Sequence, residues 1–265
     1  MMSEIHSSAV VEKGAFLGEN VIIEPYAFIG KNAVLGDECV VKQGARILSH
    51  TTIGAKSRIF SYAIVGDIPQ DISYKDGELE TGVIIGENST IREFATINSG
   101  TAKGDGFTRI GANAFIMAYC HIAHDCKLGN NVILANNATL AGHVELGDFV
   151  VVGGLTPIHQ FVKVGEGAMI AGASALSQDI VPFCLAEGNR AKIRSLNLVG
   201  IRRRFDKDEV EKINKAYKFL FKHSDLKAAA SELLPKCESE NVRKMCEFIL
   251  NTTRGIPVYR GRDDE

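Results

Sequence analysis

Across 265 residues there is no apolar run near the roughly 18 that a helix needs to cross a bilayer, so no membrane span is expected. The opening Met1-Met2-Ser3-Glu4-Ile5-His6 has no basic segment leading into an apolar one, so no secretory leader is expected and the chain reads as cytoplasmic. A dominant charge is missing too. The formal net charge of −2 gives no global basic field to hold nucleic acid, and any anionic ligand must be met by a local patch. None of the six cysteines stands in a CxxC pair, which sets aside disulfide, zinc and redox frameworks; Cys39, Cys120 and Cys126 fall where the repeat described next asks for a small residue. Gly100, Gly104 and Gly106 lack the Gly-Lys-Ser/Thr ending and following helix of a phosphate-binding loop, and read as turn chemistry.

What the chain does have is a period of six. From Ile110 through Ile116, Ile122, Leu128 and on to Leu176, an aliphatic residue falls at every sixth position without a slip, and a smaller one follows four later, as at Ala114, Cys120, Cys126 and Val132. A helix repeats near 3.6 residues and a strand at 2, so neither alone explains this; a repeat architecture does. Six residues forming one short strand and one corner, three such units per turn, make an 18-residue triangular coil: a parallel β-helix. Glycine often follows the aliphatic, as in Ile53-Gly54 and Leu128-Gly129, which suggests a corner needing φ > 0.

The register is regular from Val11 to Val65, breaks over the polar, turn-rich residues 66–82, resumes at Ile85, and breaks again over 98–109. Both excursions are expected as external loops that wall a binding face. After Pro182 the pattern ends, giving a β-helix over 1–185 and an α-helical domain over 186–265. Asp206 to Glu209 is a capping-box pattern, followed by Val210, Ile213, Tyr217 and Leu220 at helical spacing, and 224–234 and 240–251 read as two more helices. Residues 190–204 carry Arg190, Lys192, Arg194, Arg202, Arg203 and Arg204, a local basic patch.

With an 18-residue coil, residues 18 apart stack at about 4.8 Å. His124, Gly142 and Gln160 then share one column, His143 and His159 flank it, and His121 lies on the coil of His124. A histidine is the natural general base for taking a proton from a hydroxyl, Asp125 can orient its ring, and Gly142 can offer a bare amide to an oxyanion. Cys120 and Cys126 face inward by phase, which favours direct transfer over a covalent acyl-enzyme. Two other readings stay open. His124, His143 and His159 can be taken as zinc ligands across a trimer, as in hexapeptide-repeat carbonic anhydrases, whose spacing they do not reproduce. A β-helix can also be an inert scaffold.

The segments His121-Ile-Ala-His-Asp-Cys126, Leu134 to His143 and His159-Gln160-Phe161 closely resemble the hexapeptide-repeat UDP-N-acetylglucosamine O-acyltransferases of lipid A synthesis, over essentially the whole chain. The resemblance implies a left-handed coil, a homotrimer with sites between subunits, and transfer of an R-3-hydroxyacyl group from acyl carrier protein to the sugar's 3-position, with no cofactor and no metal. It makes His124 the general base, Asp125 its orienting partner and Gly142 the oxyanion-hole amide. His121, His143, His159 and Gln160 become the lining that holds the nucleotide sugar and acyl phosphopantetheine. Gln70 and Asp71 match residues that meet the sugar nucleotide, and Asn197, Arg203 and Arg204 its nucleotide end. Gly172 matches the position that sets acyl-chain length, and its column of Ala118, Asn136 and Gly154 is small enough for a chain on the order of fourteen carbons, each CH₂ being worth about 0.8 kcal/mol.

Three positions depart from that family's pattern. Ser73 stands where a lysine follows the Gln-Asp pair, with Lys75 close by, Val199 replaces an acid, and Arg190 replaces a histidine near the acyl end. Ser73 leaves open whether the acceptor is UDP-N-acetylglucosamine or its 3-amino analogue. The related N-acyltransferase reading lacks its amino-terminal uridine-binding domain, since the repeat starts near residue 11.

Overall fold

The computed structural model describes residues 3–75, 77 and 79–259. Short parallel strands stack into three sheets of eleven, eight and eight strands, and successive strands visit the first, second and third sheet in turn. The pairing is the 18-residue step: Phe115 opposes Ile133, Ile133 opposes Val151, and Val151 opposes Met169. This is the left-handed β-helix. The aliphatic of each unit points into the prism, as Ile23, Ile29, Leu35, Ile53 and Ile122 do, and all five are buried. The small position also faces in, taking Ala27, Cys39, Cys120 and Cys126, with Thr51, Ser57 and Ser89 as polar exceptions.

The corners work differently from the sequence expectation. The glycine after the aliphatic is needed for close approach: a Cβ on Gly54 would sit 2.4 Å from the Glu87 nitrogen, and one on Gly129 would sit 2.7 Å from that of Asp148. Positive φ falls two residues later, and there it is taken by side-chain-bearing residues such as Asn32, Lys56, Tyr119, Asp125, His143 and Phe161. Asn and Asp tolerate this left-handed conformation through local hydrogen bonding, whereas the aromatic and histidine residues are held in it by the coils above and below.

Both excursions leave the edge between the second and third sheets. The pairing step grows to 32 residues between Val65 and Ile97, and to 25 between Ile97 and Ile122. The strands beside the loops lengthen, to Ile64–Asp67, Gly82–Ile85, Thr96–Asn98 and Phe107–Ile110, because Gly82 pairs with Phe107 and Val83 with Thr108. The loops proper are therefore 68–81 and 99–106, shorter than 66–82 and 98–109.

At the far end the first sheet runs on through a strand at Cys184–Glu187 and an antiparallel one at Lys192–Leu196, so residue 185 lies inside a strand. The hairpin and a helix at Leu198–Arg204 (α1) are hidden in the basic stretch, where an irregular pairing puts the buried Ile193 and Leu196 three residues apart and leaves no alternation to read. The next helices, Lys207–Lys222 (α2), Leu226–Leu233 (α3) and Glu240–Asn251 (α4), match the sequence periods. Asp206 caps α2 by accepting from Glu209 N–H at 2.8 Å. The expected capping box is only half made, because the Glu209 carboxylate accepts instead from Ser239 and Asn241 and ties α2 to the start of α4. Among the described residues no helix is long and apolar enough to cross a membrane.

A buried Asp179 fastens the tail to the coil. Its carboxylate accepts from Lys163 N–H (2.9 Å), Thr252 Oγ1 and Arg254 N–H (3.3 Å), and its own amide donates to Gly255 O (2.9 Å). Asp179→Ala leaves those donors without an acceptor, so it is expected to cost about 3 kcal/mol. Hydrogen exchange should show the loss concentrated in residues 252–259; protection there equal to wild type would refute the clip.

Candidate functional site

His124 follows a strand of the second sheet and precedes one of the third, and so do Gly142 and Gln160 one and two coils above. The column is tight. A Cβ on Gly142 would fall 2.6 Å from His124 Cε1 and 2.7 Å from Nε2, so any other residue there would push the imidazole aside. The Gly142 carbonyl accepts from Phe161 N–H at 3.1 Å, while no described residue accepts the Gly142 amide proton.

Asp125, His143 and Phe161 form the neighbouring column, all three with positive φ. His124 Nδ1 lies 2.8 Å from Asp125 Oδ2, so the proton sits on Nδ1 and Nε2 carries the lone pair. The buried carboxylate also accepts from Thr101 N–H (2.9 Å) and Thr101 Oγ1 (2.7 Å). Burial pushes its pKa up, but the bonds from His124 and Thr101 outweigh that and hold it below the usual carboxylate range. Above it, the His143 ring stands edge-on to His124 (5.2 Å) and stacks on Phe161 (4.6 Å). Burial lowers the pKa of His143, and burial and the nearby His124 lower that of His121, whose Nδ1 pairs with Thr96 Oγ1 at 2.8 Å. Both therefore favour the neutral form.

Thr101, Thr108 and Gly104 also touch Asp125, and the repeat arithmetic does not reach them. In a regular corner the amide of the positive-φ residue donates to the coil below, as His143 does to His124 O. At Asp125 the coil below opens into the second loop, and the amide donates to Thr108 Oγ1 instead (2.9 Å). Gly104 is more than turn chemistry, since a Cβ there would meet Asp125 Oδ1 at 2.3 Å. The signal was the out-of-phase loop itself, which cannot be placed by counting eighteens.

The remaining expected residues divide by edge. Gln70, Asp71 and Ser73 lie on the first loop, at the edge of His124; Asp71 and Ser73 line a cleft of about 390 Å³. Asp71 accepts from Ser73 N–H (2.8 Å) and pairs with Lys103, and these bonds hold its carboxyl below the usual range. His159 and Gln160 are exposed, and His159 with Arg190 lines an apolar groove of about 480 Å³ over the second sheet. Gly172 sits on the edge between the first and second sheets, where a Cβ would meet only the Gly154 backbone, at 3.3 Å. Asn197, Arg203 and Arg204 sit on the third-to-first edge. Asn197 caps α1 and donates to Gly167 O (3.0 Å), Arg203 is exposed, and Arg204 pairs with Glu166 and lies 3.9 Å over the Phe149 ring.

The three-histidine zinc arrangement is not assembled within the chain. His124 and His143 are joined by Asp125 in a group whose ligand atoms lie within 4.8 Å, and His159 stays outside it with Nδ1 against Gln160 O. Asp125 Oδ2 is already engaged by His124 and Thr101. No disulfide-forming or nucleophilic role falls to the inner cysteines: Cys120 and Cys126 donate to Ala135 O and Ala141 O, and burial pushes their thiols up to about 11 and about 12.

Comparison with known proteins identifies the family. The bacterial hexapeptide transferase profile matches residues 14–49 and 107–142, and the profile described as UDP-N-acetylglucosamine O-acyltransferase, domain 2, matches 179–257. A Campylobacter jejuni protein named acyl-(acyl-carrier-protein)–UDP-N-acetylglucosamine O-acyltransferase is 76% identical over 99% of this chain and 100% of its own. The solved UDP-N-acetylglucosamine acyltransferase from Campylobacter jejuni is 77% identical with a TM-score of 0.94, covering 97% of this chain and 100% of its own. The Francisella novicida enzyme is 38% identical with a TM-score of 0.92, covering 96% and 94%. With a relative this similar end to end, the chain belongs to the UDP-N-acetylglucosamine O-acyltransferase family.

Proposed function

We propose that the protein transfers an R-3-hydroxyacyl group from acyl carrier protein to the 3-hydroxyl of UDP-N-acetylglucosamine, the opening step of lipid A synthesis. The observation that carries this is the His124 ring packed against Gly142, with Nδ1 fixed by Asp125 and the Gly142 amide proton accepted by no described residue. His124 Nε2 takes the acceptor proton as the sugar oxygen bonds to the thioester carbon. The carbonyl oxygen, now negative, accepts the Gly142 N–H. The tetrahedral intermediate collapses by breaking the C–S bond, and the departing phosphopantetheine thiolate takes the proton back from His124. Asp125 stays ionised throughout and steadies the imidazolium. A carrier-protein thioester and a sugar nucleotide as substrates place the work in the cytoplasm.

The same reading requires a homotrimer. The residues matched to a single site occupy three different edges of one prism, so one chain cannot gather them, and neighbouring copies can. The exposed stack of Tyr62, Phe94 and Tyr119 along the first-to-second edge, with ring centroids 5.4 and 5.1 Å apart, is an apolar strip of the kind that association covers. In that assembly Arg203 and Arg204 meet the nucleotide, and Gly172 sets the depth of the acyl groove.

His124→Ala should lower turnover by about 10²–10⁴-fold while thermal unfolding stays as in wild type. Product mass spectrometry with hydroxyacyl carrier proteins and both 3-hydroxy and 3-amino UDP-sugars reads this directly. Turnover equal to wild type removes the base from the mechanism, and amide product in preference to ester overturns the oxygen acceptor. Gly172→Met, placed where the backbone leaves room for a side chain, should shift preference to donors shorter by about four carbons; at about 0.8 kcal/mol per CH₂ that is roughly a two-hundredfold change in donor ratio. An unchanged ratio detaches Gly172 from chain selection.

A further inference from the structure

The two external loops are bridged by a cation that neither the repeat nor the family resemblance gave a role. Lys103 Nζ lies 3.0 Å from Asp71 Oδ2 and 2.5 Å from Ser73 Oγ, so the second loop reaches across to the first. Its backbone is held from the other side. Lys103 N–H donates to Thr101 Oγ1 (3.2 Å), and that same hydroxyl donates to the Asp125 carboxylate (2.7 Å). One residue therefore connects the cleft lined by Asp71, Ser73, Tyr74 and Thr101 to the carboxylate that orients His124.

The Lys103 side chain is 59% exposed, and ion pairs of that exposure are weak and exchange partners readily. A compact ammonium on a flexible stem, poised at the mouth of a cleft beside the catalytic corner, suits the oxyanions of a diphosphate. We propose that Lys103 is the cation that receives the diphosphate of the nucleotide-sugar acceptor, supplying from the second loop the charge that Ser73 leaves out of the first. It is a binding and positioning residue, and the inference rests on the acyltransferase reading above. Lys75, exposed on the first loop and lining the same cleft, is the competitor.

Initial rates with UDP-N-acetylglucosamine varied against saturating hydroxyacyl carrier protein test this. Lys103→Ala should raise the acceptor KM by about ten- to a hundredfold, with kcat within about threefold and the carrier-protein KM unmoved. Lys103→Arg should recover most of the loss, and Ser73→Lys placed in the Lys103→Ala background should recover part of it. An acceptor KM unchanged in Lys103→Ala overturns the proposal, as does a rise confined to Lys75→Ala. A fall in kcat at constant KM also overturns it, since that is what a purely structural link through Thr101 to Asp125 produces. If the wild-type enzyme itself transfers nothing to UDP-N-acetylglucosamine, the acyltransferase assignment fails first; if wild type is active and Lys103→Ala is indistinguishable, only this inference falls.

Discussion

Along the third-to-first edge the coils rise at strand spacing with backbone against backbone at each corner. That close approach is what the rest of the molecule depends on. It demands glycine where a Cβ would strike the next coil, as at Gly54 and Gly129, and it forces a left-handed residue two positions later whatever side chain stands there. The interior can then be nearly uniform, and Ile, Leu and Val fill it without any long-range design. Each coil contacts only its neighbours, so stability accumulates turn by turn and an insertion is tolerated wherever it leaves from a corner.

The corner proposed to be catalytic is one of these left-handed corners. Asp125 carries φ of 59°, which aims its carboxylate back at the ring of the residue before it and up towards His143. An isolated non-glycine residue in that region costs about 1–2 kcal/mol, and here the cost is absorbed by coils that fix the backbone from both sides. The second loop completes the arrangement. Where the lower coil would have supplied a carbonyl, the lengthened strand after the loop supplies Thr108 for the Asp125 amide and the loop supplies Thr101 for its carboxylate, so the acid has no freedom to turn away from His124. A base whose tautomer is fixed on rigid coil rather than on a free loop meets the demand for preorganisation.

Counting by six and eighteen was enough to place the prism, the inward faces, and the stacking of His124, Gly142 and Gln160, because those depend only on the repeat. The purpose of the corner glycines was misread, since a period reveals where small residues recur and cannot separate close approach from positive φ. Thr101 and Lys103 are invisible to counting for a related reason: they lie in a segment that leaves the register, and their partners at 125, 71 and 73 are set by how the loops fold; Thr108, in the strand that follows, is reached by the Asp125 amide only because that loop interrupts the coil below. The hairpin at Cys184–Leu196 and α1 are lost in the basic stretch, where irregular pairing leaves the hairpin no alternation to read.

A triangular prism with three unlike edges also sets a condition on assembly. His124 and both loops occupy the second-to-third edge, Gly172 the first-to-second, and the Asn197 and Arg204 group the third-to-first. Around a threefold axis parallel to the coils, each subunit turns one edge to one neighbour and a different edge to the other, so the contact is heterologous and closes after three copies. Each cleft would then set the base and loops of one subunit against residues that a neighbour brings from its other two edges. On this reasoning each edge of the single chain carries only part of a site, and joining such parts is what the threefold arrangement proposed above would do.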